Sequence, residues 1–255
     1  MKAKVNGTEI HCELSGQEGA PWLILSHSLA CTVRMWDPQV AAFKSRFRIL
    51  NYDMRGHGAS AAPAVPYTLE MLADDVLGLM RELGIKRARY VGLSIGGMIG
   101  QTLALKQPMM FEKMVLADTG HSQPPEAIKQ WEERIQIAQT QGMKPLVPST
   151  MERWFTPAFR ESPQAKKIAE LIANTPVAGY VGCGQAIMKL NTTARLKEIK
   201  LPVLAIAGEA DPSAPGTKYL GENIPGAKLV MLKEAAHIAN VEQPEKFNQA
   251  LRDFL

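Results

Sequence analysis

A serine between two glycines is the strongest chemical signal in the sequence. Ser94 lies in the segment Gly92-Leu93-Ser94-Ile95-Gly96, which follows an apolar run typical of a buried strand and precedes a helical pattern. On a sharp strand-to-helix turn, small flanking residues avoid clashes and the helix N-terminus favours negative charge. The pattern predicts a nucleophile elbow. The alternative is a glycine-rich turn that serves only the packing of the helix on the sheet.

A serine nucleophile needs a base at neutral pH, and the base needs an acid that orients it. Asp211 follows the apolar segment 203–207, and His237 follows the apolar segment 228–232. Both residues lie at predicted strand ends, where the active sites of parallel sheets form. The order Ser, Asp, His is also the order expected after a nucleophile elbow. The sequence therefore predicts a triad of Ser94, His237 and Asp211.

Other residues compete for the two supporting roles. Asp118 also ends a predicted strand and is the rival acid, but chain order and spacing favour Asp211. Among the five histidines, His11 lies in an early strand and His57 lies in a glycine-rich loop, where structural roles are expected. Only His237 combines the expected order, a preceding strand and a following helix.

The negative charge that develops on a substrate carbonyl needs hydrogen-bond donors. One expected donor is the backbone N–H of Ile95, the residue directly after the nucleophile. The second should come from the loop after the apolar segment 22–25, and we assign it to the backbone N–H of Leu29. Each such donor typically lowers the barrier by roughly 3 kcal/mol.

Short apolar strands alternate with amphipathic helices along most of the chain. Thr68 is a predicted N-cap, and apolar residues follow it at spacings of three and four. Further helices are predicted at about 94–107 and from Pro244 onward, and the Asn6-Gly7 turn predicts an early hairpin. Such alternation favours a mostly parallel sheet that is covered on both faces.

The alternation of strands and helices stops between residues 120 and 193. This segment contains helical patterns interrupted by prolines, and it contains no convincing strand. It is too long to be a structureless loop in a compact domain. We therefore predict one domain, with a core formed by residues 1–119 and 194–255 and a helical insertion at 120–193.

Composition excludes several classes of protein. A chain of 255 residues with 46% hydrophobic residues can bury a large core, so it is neither a disulfide-stabilised miniprotein nor a disordered chain. The net charge of +4 comes without a basic block, so no nucleic-acid partner is expected. No apolar run approaches the roughly 20 residues of a membrane span. The chain has three cysteines and no CxxC motif, which favours free thiols and no metal site. It also shows no signal-peptide pattern, so we expect a cytoplasmic protein.

Six segments of the chain are similar to segments of a known enzyme family. They read MWDPQ (35–39), YDMRGHGAS (52–60), GLSIGGMIGQ (92–101), RWFTPAF (153–159), GYVGCGQAI (179–187) and EAAHIANVEQPEKF (234–247). They resemble the α/β-hydrolase fold, and within it the 3-oxoadipate enol-lactonase-like group. The resemblance implies a mostly parallel eight-stranded sheet flanked by helices, with the helical insertion as a cap. It also implies a cofactor-free serine hydrolase that cleaves a small carboxylic ester or lactone through an acyl-enzyme.

Two loops depart from the usual sequences of that group. The loop after the third strand reads SHSLAC, where His27 replaces an asparagine, and the loop after the sixth strand reads ADTGH and ends at His121. Both loops are expected at the entrance to the site, so His27 and His121 are candidate substrate contacts. The alternatives are a His27 that only shapes its loop and a His121 that faces solvent. These changes favour a broad-specificity carboxylesterase, with perhydrolysis as a side activity, as the alternative function. A non-catalytic ligand-binding scaffold is a third reading, which the complete triad argues against.

The helical insertion supplies three further candidate substrate contacts. Trp131 and Arg134 lie three residues apart at the margin of one apolar helix face. An arginine beside a flat aromatic wall can bind a substrate carboxylate through two hydrogen bonds. The alternative is an Arg134 that extends into solvent. Trp154 either packs in the core of the insertion or forms a wall of the pocket.

Overall fold

An eight-stranded sheet forms the centre of the computed structural model, which describes residues 1–255. The strands are β1 Lys2–Val5, β2 Thr8–Ser15, β3 Trp22–Ser26, β4 Arg48–Tyr52, β5 Ala88–Leu93, β6 Phe111–Ala117, β7 Val203–Gly208 and β8 Lys228–Leu232. They are arranged in the order β1-β2-β4-β3-β5-β6-β7-β8. β2 pairs antiparallel with both neighbours, and every other pair is parallel. The predicted fold class is confirmed.

Ten α-helices accompany the sheet. They are α1 Asp37–Phe43, α2 Leu69–Glu82, α3 Ile95–Lys106, α4 Pro125–Gln141, α5 Val147–Trp154, α6 Pro163–Asn174, α7 Val177–Met188, α8 Ala214–Asn223, α9 Ala239–Glu242 and α10 Pro244–Phe254. The predicted N-cap of α2 is confirmed, because the Thr68 side chain accepts a hydrogen bond from the Met71 N–H at 3.1 Å. None of these helices combines the length and the apolar character that a membrane span requires.

The segment between β6 and β7 forms helices α4 to α7 and contributes no strand to the sheet. Where the segment leaves and rejoins the core, one bridge pairs Ser122 with Asn191. Gln101 of α3 holds both ends, because its Nε2 donates to the Gly120 carbonyl at 2.8 Å and its Oε1 accepts from the Thr192 hydroxyl at 2.6 Å. The helical insertion is thus fixed to a helix that packs on the sheet.

The parallel strands position the candidate site. β5, β7 and β8 run in the same direction, so the loops that follow them meet at one edge of the sheet. β7 is buried along its whole length between helical layers. The three cysteines are unpaired and buried, in agreement with the expected free thiols; the cytoplasmic location stays a prediction.

Candidate functional site

Ser94 occupies the turn between β5 and α3. Its backbone has φ 58° and ψ −119°, a conformation that is uncommon for any residue with a Cβ. The flanking glycines are required by space: a Cβ at Gly92 would lie 2.2 Å from the Gly96 carbonyl oxygen, and a Cβ at Gly96 would lie 2.2 Å from the Ser26 carbonyl oxygen. These two glycines therefore allow the strand to turn directly into the helix close to β3.

Asp211 and His237 form a hydrogen-bonded pair. Oδ1 of Asp211 lies 3.0 Å from Nδ1 of His237. Ser213 supplies two more hydrogen bonds to the carboxylate: its N–H donates to Oδ1 at 2.9 Å, and its hydroxyl donates to Oδ2. Burial raises the pKa of Asp211, but attraction to His237 and the hydrogen bonds from His237 and Ser213 outweigh burial and hold the pKa below its ordinary value. Asp211 is therefore a carboxylate that can orient the imidazole.

Asp118, the rival acid, lies in the same region but has different contacts. Its Oδ1 accepts from the Gly208 N–H at 2.8 Å, which ties the end of β6 to the end of β7. The side chain is completely buried. Burial raises the pKa of Asp118 well above its ordinary value, and the neighbouring Asp211 charge raises it further. The two pKa values are therefore shifted in opposite directions, so Asp211 is the acid that is more readily ionised.

Two backbone N–H groups near Ser94 have no acceptor within the protein. Leu29 lies in the loop after β3, and its N–H takes part in no hydrogen bond of the structure. Ile95 begins α3, so its N–H lies in the first turn, where the helix itself supplies no acceptor. Both groups are available to an incoming oxyanion.

Two buried histidines fix the loop that carries Leu29. Nε2 of His27 accepts from the Met54 N–H at 2.9 Å, and its Nδ1 donates to the Ser28 carbonyl at 2.7 Å. Nε2 of His57 accepts from the Ala30 N–H at 3.0 Å. Burial lowers the pKa of both rings, that of His57 to about 3. His27 is fully buried and does not line the cavity described below, so the expected substrate contact of His27 is not found.

A cavity of about 550 Å³ connects the sheet edge with the helical insertion. Of the predicted site residues, those that line it are Leu29, Ser94, Asp211, His237, His121, Trp131, Arg134 and Trp154. Ile95 is absent from the lining, as expected of a residue assigned a role only through its backbone. The structure thus brings the candidate nucleophile, acid and base together with four of the five candidate substrate contacts.

Two arginines of the helical insertion face this cavity without an acidic partner. The Arg134 guanidinium lies 4.9 Å from the centre of the Trp131 ring. Arg153 donates to the Thr150 hydroxyl at 3.2 Å, and neither arginine forms a salt bridge. Burial lowers the pKa of Arg153 to about 10, and the Arg134 charge contributes to the shift. Both guanidiniums remain cations at neutral pH, so this side of the cavity attracts an anion.

The remaining two candidate contacts are aromatic. His121 stacks on Tyr219 with ring centres 4.1 Å apart, and its Nδ1 lies 2.7 Å from the Thr193 hydroxyl. The Trp154 ring centre lies 5.8 Å from that of His237. Trp154 is largely buried yet lines the cavity, so it packs in the insertion and forms a wall of the pocket at once.

Residues 21–244 match the family model described as alpha/beta hydrolase fold. The chain belongs to the alpha/beta hydrolase family. This hydrolase is 39% identical to 3-oxoadipate enol-lactonase 2 of Acinetobacter baylyi over 92% of its own length and 89% of that protein. It superposes on the enol-lactonase from Burkholderia xenovorans LB400 with a TM-score of 0.94 at 39% identity, covering 100% of this chain and 99% of that one. A thermophilic esterase from Thermogutta terrifontis, solved with malate bound, gives a TM-score of 0.91 at 26% identity over 99% and 97% of the two chains.

Sequence reasoning missed many of the residues that line the cavity of this hydrolase. Three of them that carry a charge or a hydrogen-bonding group are Arg153, Tyr180 and Ser213. Ser213 had a usable signal, because it lies two residues after Asp211, where aspartate side chains commonly accept hydrogen bonds from the backbone. Arg153 and Tyr180 had none, since each lies on a helix whose pattern shows only which face is buried. The hydrolase has no group of three or more His, Cys, Asp or Glu side chains arranged to hold a metal ion.

Proposed function

We propose that this hydrolase cleaves a carboxylic ester or lactone by nucleophilic catalysis. Ser94 Oγ attacks the carbonyl carbon while His237 takes its proton, and Asp211 holds the imidazole in place. The N–H groups of Leu29 and Ile95 bind the resulting oxyanion. His237 then gives its proton to the leaving alcohol, and a water activated by the same ring releases the acyl group from Ser94.

The observation that carries this proposal is the shared cavity. It is bordered by Ser94, by the hydrogen-bonded pair Asp211–His237 and by Leu29, whose N–H has no acceptor. Acyl transfer needs these groups around one carbonyl carbon. The pKa directions agree, because a charged Asp211 stabilises the imidazolium that forms when His237 accepts the proton.

We assign the role of a cap to the helical insertion, with residues 1–119 and 194–255 as the core. The insertion contributes Trp131, Arg134 and Trp154 to the lining of the cavity. It therefore covers the sheet edge and supplies the surface that selects the substrate.

For the substrate we propose a small, partly apolar acid that contains a lactone or ester group, similar to 3-oxoadipate enol-lactone. The two unpaired arginines supply the anion site, and the Trp131 ring supplies a flat apolar wall beside it. The relatives named as enol-lactonases are consistent with this choice. A broader carboxylesterase is the second candidate, favoured by the aromatic ring of His121 at the cavity, which is held by stacking on Tyr219.

A comparison of substrates tests this function. The wild-type hydrolase would be assayed with the enol-lactone, with an ester that bears a free carboxylate, and with the methyl ester of that carboxylate. We expect kcat/KM to be roughly 100-fold higher for each of the two anionic substrates than for the neutral methyl ester. The reason is that charge-assisted hydrogen bonds contribute about 1.5–3 kcal/mol. Equal values for all three would identify a general esterase, and no turnover of any would reject the hydrolase function.

Truncating the two arginines should weaken the binding of anionic substrates selectively. We expect Arg153→Ala and Arg134→Ala each to raise KM for an anionic ester roughly tenfold, with kcat little changed, because each loses one charge-assisted contact. Arg153→Lys should lose less, since it keeps the charge. Steady-state kinetics on the matched anionic and neutral esters measures this. A rise in KM of the same size for both esters would contradict a carboxylate site.

A further inference from the structure

A buried glutamate links the loop of His237 to the helical insertion. Glu242 ends α9 and is 5% exposed. Its Oε2 accepts from the Ala236 N–H at 2.8 Å, and its Oε1 accepts from the Thr156 N–H at 2.9 Å and from the Thr156 hydroxyl. One carboxyl group thus joins the residue before His237 to a segment 86 positions away in the sequence.

The other side of His237 is attached to the same segment. The Ile238 N–H donates to the Trp154 carbonyl at 3.2 Å, and the Trp154 ring lies beside the His237 ring at 5.8 Å between centres. Residues 236 and 238 are therefore both tied to residues 154–156, the first through Glu242 and the second directly. Besides the hydrogen bond of the His237 ring to Asp211, the backbone on both sides of the candidate base is therefore held by this part of the insertion.

The Glu242 carboxyl has only neutral partners. It forms no salt bridge, and all its hydrogen-bond donors are groups of Ala236 and Thr156. A buried carboxyl with no cation is costly unless it is well hydrogen-bonded, so the loss of any of these donors should be unfavourable. The three donors converge from two separate segments, so the arrangement that they fix is the position of the His237 loop relative to the insertion.

We propose that Glu242 is a positioning residue that sets the His237 ring in its working place by fastening its loop to residues 154–156. Its effect reaches the reaction through His237, so the proposal rests on the proposed role of His237 as the base. Loss of the Glu242 contacts should therefore slow the proton-transfer steps more than it weakens substrate binding.

The test uses Glu242→Gln and a matched pair at Thr156. The glutamine keeps one oxygen acceptor, but its NH2 group cannot accept from an N–H, so one of the two segments loses its partner. Thr156→Val removes the hydroxyl at nearly constant shape, and Thr156→Ser keeps it. With a small neutral ester, we expect kcat to fall roughly 30-fold for Glu242→Gln and about fivefold for Thr156→Val at little-changed KM, since misplacement by about 1 Å can cost 100-fold. Thr156→Ser should stay within about twofold of wild type.

A spectroscopic readout separates positioning from folding. The Trp154 indole lies 5.8 Å from the His237 ring, so its fluorescence at a fixed pH reports where that ring is placed; Trp154→Phe identifies this part of the signal. Glu242→Gln should change this emission, at temperatures where circular dichroism shows the variant folded. A change of kcat below twofold, or unaltered Trp154 emission, overturns the positioning role. Retention of the wild-type rate by Ser94→Ala would instead reject the hydrolytic function itself.

Discussion

Replacing Ser94 with alanine should lower kcat for every ester or lactone by about 10⁴-fold or more. The substitution removes the atom that attacks the carbonyl and leaves the N–H groups of Leu29 and Ile95 in place, so only the residual rate due to binding and the oxyanion donors remains. Initial rates with a p-nitrophenyl ester measure the loss. Rapid mixing of the wild type should also release p-nitrophenol in a burst if the acyl-enzyme accumulates.

The matched control for this experiment is Ser149→Ala. Ser149 is exposed on α5, away from the lining of the cavity, and we expect its loss to leave kcat within about twofold, as is usual for surface positions. Equal turnover by wild type and Ser94→Ala would contradict the serine mechanism. No turnover by either protein, with tight binding of the same esters, would point to the non-catalytic scaffold.

Replacing Asp211 or Asp118 with asparagine should have very different effects on kcat. Asp211→Asn should lower kcat about 10⁴-fold, because the amide no longer holds the imidazole in the required tautomer. Asp118→Asn should change kcat less than about threefold. The pKa of Asp118 is raised and that of Asp211 is lowered, so Asp211→Asn removes the carboxyl that is more readily ionised and Asp118→Asn removes the one that is more readily protonated. Asparagine at 118 can also accept the Gly208 N–H and tolerates the φ of 46° found there.

The pair of variants also decides between the two candidate acids. A loss of several orders of magnitude in Asp118→Asn, with Asp211→Asn nearly active, would make Asp118 the acid. The pH dependence of the Asp211→Asn variant gives a second test. Without the Asp211 charge, the pKa of Asp118 should fall towards its ordinary value, so Asp118 should ionise more readily in this variant. The residual kcat/KM of Asp211→Asn should then rise with pH more steeply than that of a variant with both Asp118→Asn and Asp211→Asn, as pH profiles would show.

Local patterns predicted the fold because its elements depend on near neighbours in the sequence. The Asn6-Gly7 turn forms a two-residue hairpin in which Val5 pairs with Thr8, and Thr68 caps α2. The three triad candidates could also be predicted from local patterns. Each follows a strand of a parallel sheet, so the strand order alone places them at one edge of the sheet.

Side-chain contacts between distant segments could not be predicted in the same way. His27 lies in a loop at the site, but its ring is fixed by Met54, 27 positions along the chain, and so it is buried away from the cavity. The contacts of Glu242 with Thr156 span 86 positions. The hydrophobic periodicity of a sequence does not predict contacts between distant segments, because the orientation of each side chain depends on how the insertion packs on the core.

The backbone conformation of Ser94 has a thermodynamic consequence. A residue with a Cβ held at a positive φ costs of order 1–3 kcal/mol, whereas glycine adopts that region freely. Ser94→Gly should therefore unfold at a higher urea concentration than the wild type, and Ser94→Ala, which keeps the Cβ, should not. A midpoint for Ser94→Gly at or below that of Ser94→Ala would show that the turn is unstrained. The hydrolase thus keeps the hydroxyl of its candidate nucleophile at the expense of free energy of unfolding, and resistance to denaturation competes with the proposed chemistry at a single residue.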